Sequence, residues 1–263
     1  MCLMVFDWRP EASTCLRLAA NRDEYHERPT LPLHRWHDAP AIAGGRDARA
    51  GGSWLAVHAR GRIAAVTNVR SGFHPPPTSG PSRGALVREA LETSLPLADW
   101  LASLDMRPYA WCNLLVGDGI SLWHLHHGPD GTHFEPVPPG IHGLSNADLD
   151  TPWPKLTRLR ERFDMLMSRT PDDEPAQFAL LLDDDAPCVS QLPDTGVGEA
   201  LERQLGTVFI TGEHYGTRAS TLLAWRRDAE HTPGTITLHE RRFNPDATLA
   251  GDSIEKLTLP SLS

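Results

Sequence analysis

The sequence predicts an α+β protein in which two antiparallel sheets pack face to face and are covered by helices. Three observations lead there. Strand-like apolar runs come in two hairpin-rich groups with helical stretches between them. Pro and Gly are plentiful, 23 and 21, which suits many loops around a sheet scaffold. No internal repeat or convincing linker divides the 263 residues, so the expectation is a single domain over 1–263.

Leu3 to Trp8 is apolar at nearly every position, as in a strand covered on both faces. Cys15 to Ala20 forms its hairpin partner and runs into Asn21-Arg22-Asp23-Glu24, where four polar residues end the strand. Period two puts Asn21 and Asp23 on one face and Arg22 and Glu24 on the other, so one pair faces Cys2 unless a bulge intervenes. Residues 25–52 show little periodicity and read as a long ordered loop. Ser53 to His58 and Arg62 to Thr67 are strands joined at Arg60-Gly61, the second ending in Thr67-Asn68-Val69-Arg70.

Residues 71–83 are a Pro/Gly/Ser loop. Gly84 to Glu92 and Leu97 to Leu104 have helical spacing and capping residues. Cys112 to Gly117 and Ile120 to His126 make a hairpin about Asp118-Gly119, and Ile141 to Asn146 is a short strand. Pro154 to Ser168 is a helix opened by its proline, with Leu156, Leu159, Phe163 and Leu166 as its apolar stripe. Glu174 to Leu182 and Glu199 to Leu205 are helices. Thr207 to Thr211, Arg218 to Trp225 and Thr235 to Phe243 are closing strands, and the tail from Asn244 is loop-like, with Ile254 to Leu259 able to pack back.

A net charge of −9 argues against nucleic acid and anionic membranes as partners. No apolar run approaches the roughly 20 residues of a membrane span, and no secretory signal opens the chain. Four scattered cysteines form no CxxC pair and no zinc spacing, so a reduced cytoplasmic protein is expected. His124 and His126 share a strand face without a matched third ligand, so no metal is expected. Oligomeric state is not legible.

Cys2 is the candidate nucleophile. With Met1 removed, it carries a thiol and a free α-amine whose reference pKa is about 7.7–8.0, so nucleophile and base are one residue.

Cys2, Asn21-Arg22-Asp23-Glu24, Gly51-Gly52-Ser53-Trp54, Thr67-Asn68-Val69-Arg70, His142-Gly143-Leu144-Ser145-Asn146, Pro152-Trp153-Pro154-Lys155 and Gly216-Thr217-Arg218 resemble, in order, the NRDE family, also called the transport and Golgi organisation family. The resemblance implies the four-layer αββα sandwich of N-terminal nucleophile hydrolases, related to bile salt hydrolases and penicillin V acylases. It implies Cys2 as nucleophile, Asn146 and Asn68 as the two asparagines of those enzymes, and Arg218 as their late arginine. The enzymes space an Arg and an Asp three apart on the second strand. Here Arg22 and Asp23 are adjacent, and an ungapped alternative puts Asn21 and Glu24 in those places. Asn21, Glu24 and Trp54 are candidate substrate contacts.

Two functions follow as expectations. One is hydrolysis of a linear amide by Cys2, without a cofactor. The other, implied by the family's link to haem trafficking and lipid homeostasis, is a non-catalytic carrier of haem or an acyl lipid. The expected partner is a small-molecule amide or hydrophobic ligand.

Overall fold

The computed structural model describes residues 2–74, 79–227 and 234–260. Met1 and residues 75–78 of the expected Pro-rich loop lie outside them. The chain begins with β1 (Cys2–Trp8), β2 (Thr14–Tyr25), β3 (Thr30–Trp36), β4 (Ala39–Asp47), β5 (Leu55–His58) and β6 (Arg62–Asn68). Helices α1 (Arg83–Glu92) and α2 (Leu97–Ser103) follow, then β7 (Cys112–Gly117), β8 (Leu122–Gly128), β9 (Gly131–Pro136) and β10 (Gly140–Leu144). Helices α3 (Pro154–Arg169), α4 (Glu174–Leu181) and α5 (Glu199–Gln204) precede β11 (Tyr215–Arg226), β12 (Thr235–Phe243) and β13 (Leu249–Thr258).

The strands form two antiparallel sheets, in the orders β10-β1-β2-β11-β12-β13 and β3-β4-β5-β6-β7-β8-β9. Strand alternation sorts the side chains into three apolar layers. Cys2, Met4 and Phe6 of β1, with Leu16, Leu18 and Ala20 of β2, meet Leu55, Val57, Ile63 and Leu115 between the sheets. Leu3, Val5 and Ala19 point the other way, onto Leu156, Leu159 and Phe163 of α3 and Phe178 of α4. The outer face of the second sheet lies under Leu86 and Val87 of α1 and Trp100 of α2. The architecture is therefore the expected α+β sandwich of four layers, helix–sheet–sheet–helix. Phe163 is fully buried at the centre of one outer layer, and its truncation to Ala costs about 3–5 kcal/mol.

The structure corrects the sequence reading in five places, one of them the tail from Asn244, which carries β13 because its residues pair with β12 from Thr235 to Phe243. The polar run at 21–24 does not end β2, which continues to Tyr25. It stays a strand because partners meet its buried groups: Asn21 Nδ2 donates to the carbonyls of Leu181 (2.8 Å) and Val208 (3.0 Å), and Ser220 Oγ donates to Asn21 Oδ1 (2.6 Å). The stretch 25–52 is no loop but carries β3 and β4. Register shifts between Leu31 and His34 and between Arg35 and Trp36 erase its period-two signal. Pro32 is tolerated because β3 is an edge strand. A further strand, β9, forms after the second hairpin as the other edge of that sheet. Residues 207–211 are not a strand. Val208, Phe209 and Ile210 are buried there as a plug, with Phe209 N–H bonded to Asp183 O (2.8 Å) and Ile210 N–H to Thr217 Oγ1 (2.9 Å).

Candidate active site

Cys2 opens β1 on the face turned toward the second sheet and pairs directly with Arg22 of β2. Residues directly opposite across a sheet share a face with Cβ atoms about 4.5–5.5 Å apart. Arg22 thus stands beside the thiol, and both line a cleft of about 100 Å³ between the sheets. Asp23, Glu24, Trp54, Asn68 and Arg83 also line it. The first turn of α1 forms one wall. It comes that close because Gly52 and Gly84 have no side chains. A Cβ on Gly84 would lie 2.9 Å from Ser53 O, and one on Gly52 would collide with the Gly84 backbone.

Burial dominates the electrostatics. It pushes the Cys2 thiol up to about 11, with Arg22 opposing the shift and Asp23 and Glu24 reinforcing it. Arg22 is almost sealed. Its Nη2 lies 3.9 Å from Glu24 Oε2, and its Nη1 is buried without a hydrogen-bond partner. Asp23 is 2% exposed and accepts from Thr217 Oγ1 at 2.7 Å. Burial raises its pKa, while Lys155, the Thr217 hydrogen bond and Arg22 pull it down.

The remaining expected residues are distributed around this centre. Asn68, at the end of β6, lines the cleft. Asn146 does not line it. It lies behind Asn68, with Nδ2 donating to Asn68 O (2.9 Å), and lines a neighbouring cavity with Arg70 and Trp153. Arg218 is the extra residue of a bulge in β11, since Thr217 pairs with Asp23 and Ala219 with Arg22. Its Nη1 donates to the carbonyls of Tyr25 (2.9 Å) and Arg28 (3.0 Å), and it lines a second cavity beside the first. Asn21 faces the helices, bonded as described above. Of the two alternatives on the second strand, Arg22, Asp23 and Glu24 reach the cleft and Asn21 does not.

Three residues the sequence reading did not select support the site. Asn113 of β7 is fully buried and ties the turn carrying Asn146 to the second sheet: its Nδ2 donates to Thr67 Oγ1 (3.0 Å) and Ala147 O (2.8 Å). Thr67 Oγ1 in turn donates to Ser145 O (2.6 Å). Lys155 is 3% exposed, donates from Nζ to Leu205 O (2.7 Å), and is lowered by burial to about 8, with Asp23 opposing the shift. Its signal was present: Lys155, Leu159, Phe163 and Met167 form one buried i, i+4 row of α3. Arg83, in the first turn of α1, is lowered by burial, with Cys112 and Cys2 opposing that shift.

Among the described residues, no cluster of three or more His, Cys, Asp or Glu side chains is arranged to hold a metal ion. His124 and His126 are engaged by Asn113 Oδ1, at 3.3 and 2.7 Å. Among the described residues, no helix is long and apolar enough to cross a membrane.

The fold has a solved counterpart in the Caenorhabditis elegans N-acylethanolamine-hydrolyzing acid amidase ortholog. The TM-score is 0.51 at 10% identity, over 84% of this chain and 92% of that one. At that identity the likeness establishes the shared fold, an N-terminal nucleophile hydrolase-like sandwich. In sequence, the chain is 32% identical over 269 residues to the human Transport and Golgi organization protein 2 homolog, covering 92% of each. It is 36% identical over 98 residues to Transport and Golgi organization protein 2 of Drosophila melanogaster, 34% of each. The family model described as Transport and Golgi organisation 2 matches residues 1–245, and this chain belongs to that family.

Proposed function

We propose that the protein is a cysteine amidohydrolase acting on a linear amide, with Cys2 as nucleophile once Met1 is removed. The observation that carries this reading is the placement of Cys2 beside Arg22 in a cleft that Asp23 and Asn68 also line. Burial pushes the thiol up, so it loses its proton only to a base at the site. The α-amine of a processed Cys2 is that base. Sulfur attacks the acyl carbon, the proton passes through the amine to the departing nitrogen, and the C–N bond breaks. Water then hydrolyses the thioester, releasing the acid and restoring the thiol. Asn68 supplies a side-chain N–H for the oxyanion. Where such a donor has been removed from an enzyme, the loss is about 10²–10³ in rate. Asn146 holds the Asn68 backbone in place, and Arg22 favours thiolate over thiol.

An electrophilic acyl probe tests this on processed protein. An adduct confined to Cys2 and absent from Cys2→Ala supports the hydrolase; labelling elsewhere, or equally in Cys2→Ala, removes it.

A carrier of a hydrophobic ligand is the second reading. It is favoured by the same burial, which leaves the thiol protonated at neutral pH. Haem and an acyl lipid are its candidate ligands; no histidine lines the Cys2 cleft, whereas His126 and His133 line a cavity of about 460 Å³ that Asn146 shares. Retention of either ligand without turnover, with equal affinity in Cys2→Ala, distinguishes the carrier from the hydrolase.

A further inference from the structure

Arg22 and Trp54 line two adjoining spaces. One is the Cys2 cleft; the second is a cavity of about 200 Å³ between β11 and β12 of one sheet and β3 and β4 of the other. Thr30 and Gly45 also line both, so the two spaces adjoin. The second cavity collects Arg22, Arg218 and Arg242 against one carboxylate, Glu240. This runs against the charge of the whole chain, which is −9.

Among the residues that line it, three polar atoms are buried and lack a hydrogen-bond partner: Arg22 Nη1, Arg242 Nε and His26 Nδ1. The nearest acids do not satisfy the arginines. Glu24 Oε2 is 3.9 Å from Arg22 Nη2, and Glu240 Oε1 is 3.7 Å from Arg242 Nε, both beyond hydrogen-bond range. Glu240 Oε1 is instead used by the Leu33 N–H at 2.8 Å. His26 Nε2 lies 2.9 Å from Gly212 O and donates to it, so in the neutral ring Nδ1 is an unpartnered acceptor and offers an anion no hydrogen. Arg22 has a side chain only 7% exposed, so water does little to offset its unmade bond. Guanidinium N–H groups without acceptors, around a space of this size, match an oxyanion in charge and volume.

We propose that this cavity is an oxyanion pocket, taking the carboxylate or phosphate end of a substrate whose acyl group lies at Cys2. The inference rests on the hydrolase reading for the second half of that statement, and it adds the substrate class: an N-acyl compound bearing an anionic group a few bonds from the scissile carbonyl. Arg22 serves both spaces. Arg242 and Arg218 serve the anion, and Glu240 limits its affinity by repulsion.

Isothermal titration calorimetry of the full-length protein with inorganic phosphate, and separately with acetate, tests the pocket without requiring turnover. Saturable heat with either anion is expected, the stronger of the two identifying the anionic group. Arg242→Gln weakens it at least about tenfold, the loss of one charge-assisted hydrogen bond. Glu240→Gln keeps an acceptor for Leu33 while removing the carboxylate, and it binds the anion more tightly. A general loss of structure weakens both variants, so the opposite signs separate a site from a fold defect. If Arg242→Gln does not fold, the sign of Glu240→Gln decides alone. No heat with either anion, or weaker binding in Glu240→Gln, overturns the proposal. An anion that binds while Cys2 fails to take an acyl probe leaves the pocket and removes the hydrolase; labelled Cys2 with no anion heat does the reverse.

Discussion

Cys2 and Arg22 face each other across the first two strands, and both side chains are nearly sealed from water. A thiol in such a place is inert unless a cation and a base are supplied to it. The pair therefore sets the pH behaviour of the site. Alkylation of Cys2 by iodoacetamide is slow at pH 7 and climbs about tenfold per pH unit toward 11, because only the thiolate reacts. Arg22→Ala slows it further at every pH below that, since Arg22 lowers the thiol pKa. Peptide mapping by mass spectrometry reads both rates. A plateau below pH 9 contradicts the burial argument.

Asn113→Ala leaves Thr67, Ala147 and two histidine rings without their shared partner. Its expected cost is about 1–3 kcal/mol in urea denaturation. The turn bearing Asn146 also loosens, so exchange at the Arg70 amide, which bonds to Asn146 O, speeds up. Unchanged exchange there contradicts a positioning role for Asn113.

Glu202→Ala breaks a buried ion pair. Arg70 Nη2 and Glu202 Oε2 are 2.9 Å apart, with side chains 5% and 3% exposed, and the Arg70 guanidinium also stacks 4.6 Å over Trp153. Removing one partner strands a charge, so the expected loss is about 3–5 kcal/mol. A loss under about 1 kcal/mol, typical of exposed pairs, contradicts this account.

Lys155 gives a signed pH test. Its folded pKa is lowered to about 8, whereas an unfolded lysine titrates near 10.4. Between those values the unfolded chain binds the extra proton, so wild-type stability rises with pH relative to Lys155→Met. The gap between the two proteins, measured by denaturation at pH 7.5 and pH 10, shifts in favour of wild type by about 1–3 kcal/mol. A shift of opposite sign means that the folded site favours the Lys155 cation, and no shift means that burial does not act on it; either contradicts this account.

Most of the fold was legible because hairpin turns and strand periodicity are local. The strands beginning at Cys2 and Thr235, and the stripe of α3, follow from their own residues. What was lost depends on distant partners. The run Asn21-Arg22-Asp23 looks like a solvated strand end until Leu181, Val208, Thr217 and Ser220 are brought to it. β3 and β4 were hidden by bulges. For the candidate site, the alternation of β2 left two choices, and pairing with β1 sends Arg22 to the thiol and Asn21 to the helices. Asn113 gave no local sign, because its partners lie tens of residues away in sequence.

The central claim is that Cys2 becomes the chain's reactive terminus. Intact mass of the purified protein, before and after an acyl probe, tests it most directly. The account predicts a mass lower by one methionine, then one acyl group added at Cys2 and none in Cys2→Ala. Retention of Met1, or an adduct that survives the loss of Cys2, contradicts it.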